Sequence, residues 1–279
     1  MNSIPIIFAG NEKVFDGMVI ASLSIVKHHR GVLNIYLFTM DLTDVKPDYR
    51  PVTEAQRAYL EAIYRQVNAR STVTLVDVGE HYRKTLFHAE NQDNLYTPYS
   101  FLRLFADRIP FLPDKVIYLD TDTMLCGDIA ELYTQDMGDA EFAAVRDHYG
   151  RIFLGVNYLN SGVLLMNLPR IRETRLFERA LEACAKKKIF LPDQTTINRL
   201  AKRKKILPCR FNEQHKLKKE TLVRHFSMTI RWVPRFRTQN IKPWHVEKVH
   251  TVLNIHDFDD ILNDYLKRKP TFPKTEKGD

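Results

Sequence analysis

An alternation running through the first half of the chain constrains its fold most: short apolar runs, each followed by a stretch of helical periodicity. Ile4-Pro5-Ile6-Ile7-Phe8-Ala9, Ile35-Tyr36-Leu37-Phe38, Val73-Thr74-Leu75-Val76 and Lys115-Val116-Ile117-Tyr118-Leu119 read as strands. Between the first two, Val19, Leu23 and Val26 recur at helical spacing. A helix between successive strands lets them run parallel, and helices on both faces bury the sheet. The predicted fold class is therefore α/β: a mainly parallel, doubly wound sheet with a smaller, mixed and basic C-terminal region.

Local signals place several boundaries. Asp16 is expected to cap the first helix, whose end is marked by Lys27-His28-His29-Arg30 and Gly31. Cations favour the negative helix terminus, so the two histidines read as a helix end rather than as metal ligands. Thr53 and Gln56 form a capping box. A polar stretch from about His81 to Thr97 reads as a loop or flap, followed by a helix from Tyr99 to Asp107. Further on, Phe142 to Val145 and Gly162 to Met166 read as strands, and Arg172 to Lys187 and Asp193 to Arg203 as helices. Residues 267–279, with four lysines and two prolines, are expected to form a flexible basic tail. No internal repeat is present.

The net charge of +8 is unevenly spread. Residues 1–169 carry 15 basic against 21 acidic side chains, whereas residues 170–279 carry 27 against 13. The basic half predicts an anionic partner such as phosphate, nucleic acid or lipid head groups, or else a solvated surface. Cys126, Cys184 and Cys209 are odd in number and widely spaced, which disfavours a disulfide framework or a zinc site and suits a cytoplasmic location. No apolar run approaches the roughly 20 residues needed to cross a bilayer. The N-terminus reads directly as a strand, so a secretory leader is not expected.

The sharpest chemical signal is Leu119-Asp120-Thr121-Asp122 at the end of an apolar strand. In open α/β sheets ligands bind beyond the carboxyl ends of strands, and a spacing of two in extended chain sends both carboxylates to one side. Two acids facing one way suit a hard divalent ion, Mn²⁺ or Mg²⁺, able to neutralise a diphosphate; a turn or helix-cap role is the alternative. Asp128, after Gly127 and before a short helix, reads as a cap. No GxGxxG, GxxxxGK[ST] or GxSxG motif occurs, which disfavours a dinucleotide site, a P-loop and a nucleophile elbow. Taken alone, Asn160-Ser161-Gly162 reads as a turn, Asp193 as an N-cap and His225 as a core histidine in a strand.

In order along the chain, Tyr118-Leu119-Asp120-Thr121-Asp122, Asn160-Ser161-Gly162-Val163-Leu164-Leu165-Met166-Asn167, Pro192-Asp193-Gln194 and Lys242-Pro243-Trp244-His245 resemble the retaining glycosyltransferases of family 8. That group has a single-domain GT-A fold, includes bacterial lipopolysaccharide galactosyltransferases and glucosyltransferases, and is related to glycogenin. The resemblance runs from Ile6 to about residue 250. It implies one domain over 1–266, with a nucleotide-sugar part to about 125 and an acceptor part beyond it.

The resemblance also implies roles. Asp120 and Asp122 match the metal-binding pair, with Asp120 near the ribose, and His225 matches the third ligand. Ala9 and Asn11 match the nucleotide-facing end of the first strand, and Lys242 the lysine on the diphosphate. Asn160, Ser161 and Asp193 match residues around the donor sugar, Gln194 the side chain beneath the anomeric carbon, and Asp147 an acid near donor and acceptor hydroxyls. The implied donor is UDP-galactose or UDP-glucose, and the implied partner a saccharide or lipid-linked acceptor. The enzyme is expected in the cytoplasm, associated peripherally with an anionic inner membrane face and not with nucleic acid. Three positions depart from the pattern. Asn11 replaces an acid, Val14 an aromatic, and Phe101 an arginine for which Arg103 is the candidate substitute. The glycine usual just after the histidine ligand is missing from Ser227-Met228-Thr229-Ile230.

A nucleotidyltransferase also uses paired aspartates at a strand end, and would release pyrophosphate instead of UDP. A nucleic-acid-binding protein would exploit the basic half, but no aromatic-basic stacking motif or zinc module supports it.

Overall fold

The computed structural model describes residues 3–87, 89, 97–231, 237–269 and 272. The expected alternation is realised as β1 (Ile4–Ala9), α1 (Phe15–His28), β2 (Leu33–Thr39), α2 (Glu54–Val67), β3 (Thr72–Asp77) and α3 (Gly79–Thr85). A 3₁₀ segment, Pro98–Arg108, leads to β4 (Lys115–Leu119) and β5 (Thr123–Leu125). There follow α4 (Ala130–Tyr133), β6 (Phe142–Arg146), α5 (Gly150–Phe153), β7 (Leu159–Asn167), α6 (Leu168–Thr174), α7 (Leu176–Lys186) and α8 (Pro192–Leu200). The C-terminal part adds β8 (Lys204–Ile206), β9 (Val223–His225), β10 (Thr229–Arg231), β11 (Arg237–Gln239), α9 (Val246–Thr251) and α10 (Asp259–Arg268).

Seven strands form the main sheet in the order β3-β2-β1-β4-β7-β6-β8. All neighbours pair parallel except those of β7, which runs antiparallel to both β4 and β6. The sheet divides the core, as period-two alternation requires. Ile4, Ile6 and Phe8 pack with α1, α2 and α10 on one face. Ile7 and Ala9 pack with the 3₁₀ segment, α6 and α7 on the other. Burying each such Ile, Leu or Phe contributes about 1.5–3 kcal/mol, so both faces are needed to hold a sheet of this length.

Several boundaries follow the expected chemistry. Thr53 accepts from the Gln56 backbone and Gln56 accepts in return from the Thr53 backbone, completing the capping box. The helix α1 ends at His28, and His29 turns away to bond Asp128 at 2.7 Å. Asp128 in turn accepts from the Ala130 backbone at 2.8 Å, but the N-cap position of α4 is Ile129, so Asp128 braces the helix start from one residue ahead and is not the cap expected of it.

Other expectations are corrected. Asp16 does not cap α1; it lies inside the first turn and pairs with Lys269 at 3.1 Å. The segment expected as a helix from Arg172 breaks at Arg175, a left-handed residue between α6 and α7. The helix expected from Asp193 begins one residue earlier, at Pro192, and ends at Leu200. Asn160-Ser161-Gly162 is no turn: all three are buried within β7. Lys267 and Arg268 extend α10, and Phe272 packs edge-on against Phe15 and Tyr59, so these parts of the expected tail are ordered. Residues 270, 271 and 273–279, like 88 and 90–96 of the expected flap, lie outside the described residues.

Candidate active site

The site forms where β1 and β4 end together, since Phe8 is paired with Leu119 and the next residues are Ala9 and Asp120. Asp120 follows β4, its backbone N–H bonded to Gly162 O of β7 at 2.7 Å. Asp122 sits at the turn into β5. That short strand pairs with β9, setting Thr123 opposite His225. The pairing brings together residues about a hundred positions apart. Ligand atoms of Asp120, Asp122 and His225 all lie within 4.8 Å of one another.

Each acid divides its two oxygens. Asp120 Oδ1 accepts from the Tyr118 hydroxyl at 2.7 Å and Arg103 Nη2 at 3.0 Å, while Oδ2 faces His225 Nε2 at 3.8 Å. Asp122 Oδ1 faces His225 Nε2 at 3.2 Å, and its Oδ2 accepts from Lys242 Nζ. Burial would raise the Asp122 pKa, but the Lys242 ammonium and His225 outweigh it and hold the carboxyl far below its usual range.

These residues fit a divalent cation. Two carboxylates and an imidazole supply hard and borderline ligands. The cradle also has room, because Gly162 faces it: a Cβ there would lie 2.2 Å from His225 Cε1 and 2.8 Å from Asp120 Oδ2. Among the described residues His250, His256 and Asp259 form a second such cluster. It is satisfied differently: His250 and His256 stack at 4.9 Å and both bond Asp259 in the first turn of α10. The positive end of a helix is a poor place for a cation.

Arg103 is buried, and all three of its nitrogens are engaged by the protein. Nε donates to Ser100 O at 3.0 Å and lies 3.3 Å from Asp193, Nη1 donates to Ser161 O, and Nη2 donates to Asp120. Its guanidinium stacks on Tyr118 at 4.3 Å. Burial would weaken its charge, but Asp120, with Tyr118 and Asp193, keeps it protonated. Arg103 thus ties the strand-end acid to α8. Asp193 is the second residue of α8, not its cap, and burial raises its pKa against the pull of Arg103.

The entry to α8 is strained, with Leu191 left-handed at φ 49 before Pro192, a conformation costing roughly 1–2 kcal/mol. That turn aims Gln194 at β7. Its Oε1 accepts from Ser161 N at 2.9 Å and Ser161 Oγ at 3.2 Å, and its Nε2 donates to Asp147 at 3.2 Å. Asn160 Nδ2 donates to the same Asp147 oxygen at 2.8 Å. The structure therefore gathers buried Asn160, Ser161, Asp193 and Gln194 and the half-buried Asp147 into one polar patch next to the acid pair. Asn11 is buried beyond β1, close to Asp48 O (3.5 Å). Trp244 of the Lys242-Pro243-Trp244-His245 segment packs where a Cβ on Gly17 would meet its ring at 2.4 Å, docking that segment on α1.

The sequence reading missed Tyr118 as a partner of Asp120, although its spacing of two from that acid marked the shared side. It also missed Asn212, which carries no local signal and bonds both His225 (3.1 Å) and Asn160 (2.9 Å).

The family profile described as Glycosyl transferase family 8 matches residues 5–248. The chain belongs to glycosyl transferase family 8. Among relatives of this family 8 protein, the probable glycosyl transferase Gly of Streptococcus gordonii is 34% identical over 101 residues, covering 35% of this chain and 14% of the relative. The lipopolysaccharide 1,2-glucosyltransferase of Escherichia coli K12 is 29% identical over 170 residues, covering 52% and 48%. The matched segments thus span less than half of either relative. In structure, the galactosyltransferase LgtC, solved with donor and acceptor sugar analogs, superposes with a TM-score of 0.66 at 19% identity over 94% of this chain and 96% of that one. GlyE of Streptococcus pneumoniae TIGR4 gives 0.63 at 20% identity over 99% and 67%. The mainly parallel sheet is the GT-A fold of these neighbours.

Proposed function

We propose that the protein is a metal-dependent, retaining glycosyltransferase that moves galactose or glucose from UDP to a hydroxyl of a saccharide or lipid-linked acceptor, forming an α-linkage. The convergence of Asp120, Asp122 and His225 around the side-chain-free Gly162 carries this reading. Asp120, Asp122 and His225 would hold Mn²⁺ or Mg²⁺, which supplies Lewis-acid neutralisation of the leaving diphosphate. Lys242, already beside Asp122, adds a positive charge on the same side, where negative charge develops as UDP departs. Ala9 and Asn11, at the end of β1, line the approach for the nucleotide.

The polar patch of Asp147, Asn160, Ser161, Asp193 and Gln194 supplies donors and acceptors for sugar hydroxyls. Gln194 Oε1 already accepts two hydrogen bonds, and an amide is a weak nucleophile, so it is oriented to stabilise positive charge and not to form a covalent adduct. The acceptor hydroxyl then attacks from the face that UDP leaves, and a leaving-group oxygen takes its proton. A sugar trapped covalently on the protein would overturn that step.

The acceptor side favours a lipid-linked molecule at an anionic bilayer. Ile152, Phe153 and Val156 are 65%, 61% and 69% exposed, side by side around α5. That helix is anchored on Asp147, whose Oδ1 accepts from Tyr149 N at 3.1 Å and Gly150 N at 2.6 Å. Basic groups flank it: Arg146 bonds Val156 O, and His215, stacked on His148 at 4.6 Å, leads into exposed Lys216, Lys218 and Lys219. Apolar side chains rimmed by lysines suit insertion at an acidic lipid surface. No helix among the described residues is long and apolar enough to cross a membrane.

The deciding experiment measures UDP release from a panel of UDP-sugars with Mn²⁺, Mg²⁺ or chelator, with Asp122→Asn as control. Metal-dependent turnover of one UDP-hexose is expected, reduced about 100-fold or more in the variant. Turnover indifferent to chelator, or pyrophosphate release from a nucleoside triphosphate and a sugar phosphate, would sink the reading.

A further inference from the structure

The orientation of His225 is set by a chain of hydrogen bonds that begins at an unambiguous donor. The Gly162 backbone N–H can only donate, and it donates to Asn160 Oδ1 at 2.9 Å. That oxygen is therefore an acceptor, and the other end of the Asn160 amide donates to Asp147. Asn212 Nδ2 donates to the same Asn160 oxygen at 2.9 Å. With its NH₂ so used, Asn212 presents Oδ1 to His225 Nδ1 at 3.1 Å, and an oxygen there requires an Nδ1–H. The doubly protonated ring also donates from Nε2 toward Asp122, and the neutral ring with its proton held on Nδ1 carries its lone pair on Nε2, the atom that faces both aspartates.

We infer that Asn212 is a positioning residue: it fixes the His225 tautomer that leaves Nε2 free to ligate, and joins that imidazole through Asn160 to Asp147 and Gln194. All three linking side chains, Asn212, Asn160 and His225, are buried, with Asn212 wholly so. Water does not compete for these bonds, and an unpaired amide there would be costly. The same chain connects the metal ligands to the sugar-facing amides, since Asp147 Oδ2 accepts from both Asn160 and Gln194. Ligating histidines elsewhere are held through their second nitrogen in this way, and loss of such a partner weakens metal binding about 10- to 100-fold. The inference rests on the metal reading above for its consequence, but not for its geometry.

The test therefore has two arms. Nitrogen-15 NMR of the metal-free protein at alkaline pH, with His225→Gln to assign the signal, reads the tautomer of the neutral ring. Manganese binding in the presence of UDP, followed by EPR, reads affinity for Mn²⁺. Wild type is expected in the Nδ1–H form. Asn212→Asp, which keeps an acceptor for that proton, retains it. Asn212→Leu loses the preference and binds Mn²⁺ about 10- to 100-fold more weakly. An Nε2–H ring in wild type overturns the inference even if the leucine variant fails to fold, as does a folded leucine variant with unchanged tautomer and affinity. A wild type with the Nδ1–H ring but no Mn²⁺ binding would overturn the metal reading and leave the role of Asn212 in place.

Discussion

Lys242 Nζ and Asp122 Oδ2 form an ion pair across 120 residues of chain, joining the segment docked on α1 to the acid that ends the Asp120–Asp122 pair. The Lys242 ammonium also donates to Phe226 O at 3.3 Å, so it bridges the β5 and β9 sides of the cradle. In the proposed reaction this lysine turns to the diphosphate, freeing a lone pair on Asp122.

Lysine and a divalent ion are therefore rivals for Asp122 before the donor arrives and allies after it. Lys242→Met is expected to tighten Mn²⁺ binding without nucleotide by roughly threefold to tenfold, by removing a nearby positive charge. The same change lowers turnover of the UDP-hexose by about 100-fold, because leaving-group stabilisation is lost. Calorimetry on the nucleotide-free protein and steady-state kinetics check the two signs. A variant that weakened both would show the lysine to be only a structural pair.

Gly162 offers a second test, because only hydrogen fits there. Its missing Cβ would sit 2.2 Å from His225 Cε1 and 2.8 Å from Nδ1. Gly162→Ala must push the imidazole away from Asn212 and the acids. Overpacking of this kind typically costs about 1–3 kcal/mol. Thermal unfolding is expected to drop by that measure while metal-dependent turnover falls at least tenfold. Wild-type turnover in the variant would mean that His225 is free to move and does not set the site.

Much of this is legible in the sequence, and the reason lies in which interactions are local. Strand and helix alternation is a local pattern, so β1 to β4 can be read from periodicity alone. The spacing of two between Asp120 and Asp122 likewise marks a shared side. Their convergence with His225 is not local, and only the family motif anticipates it. What stays hidden depends on distant pairing. Asn160-Ser161-Gly162 looks like a turn because glycine and asparagine are turn residues, whereas β6 and β4 hold it within a central strand and glycine clears space for His225. Arg103 looks like a replacement donor contact, yet Asp120, Ser161 and Ser100 use its nitrogens. Asn212 follows a short 3₁₀ turn at Cys209–Phe211 and takes its role only when Glu213 pairs with Arg224 beside β9.

Asp107, away from the site, gives a pH-dependent prediction. Its Oδ1 is buried with no hydrogen-bond partner among the described residues. Burial pushes its pKa up to about 6, with Arg108 and Arg172 pulling the other way. An unfolded aspartate titrates near 3.9. The folded state thus holds the proton more tightly, so this group favours folding below about pH 4 and loses that contribution as pH rises to about 6. Above that the ionised carboxylate costs on the order of 1–3 kcal/mol. Asp107→Asn should flatten the fall in stability between those pH values in urea unfolding. An identical slope in wild type and variant would assign the dependence to other groups.

The exposed apolar group around α5 makes the membrane reading testable apart from chemistry. Ile152 and Phe153 point outward, while the same helix is tied through Asp147 to Asn160 and Gln194. A bilayer that accepted these side chains would hold the acceptor side of the site against its surface. Each buried aliphatic or aromatic side chain contributes about 1.5–3 kcal/mol, so replacing two by aspartate should weaken vesicle retention at least tenfold. The comparison is Ile152→Asp/Phe153→Asp against wild type on vesicles with and without acidic lipid at low salt. Hydrolysis of the UDP-hexose without acceptor should be unchanged, since neither residue belongs to the donor site. Retention equal to wild type would remove α5 from the contact. Failure of wild type to bind acidic vesicles would remove the membrane, and point to an acceptor delivered in solution.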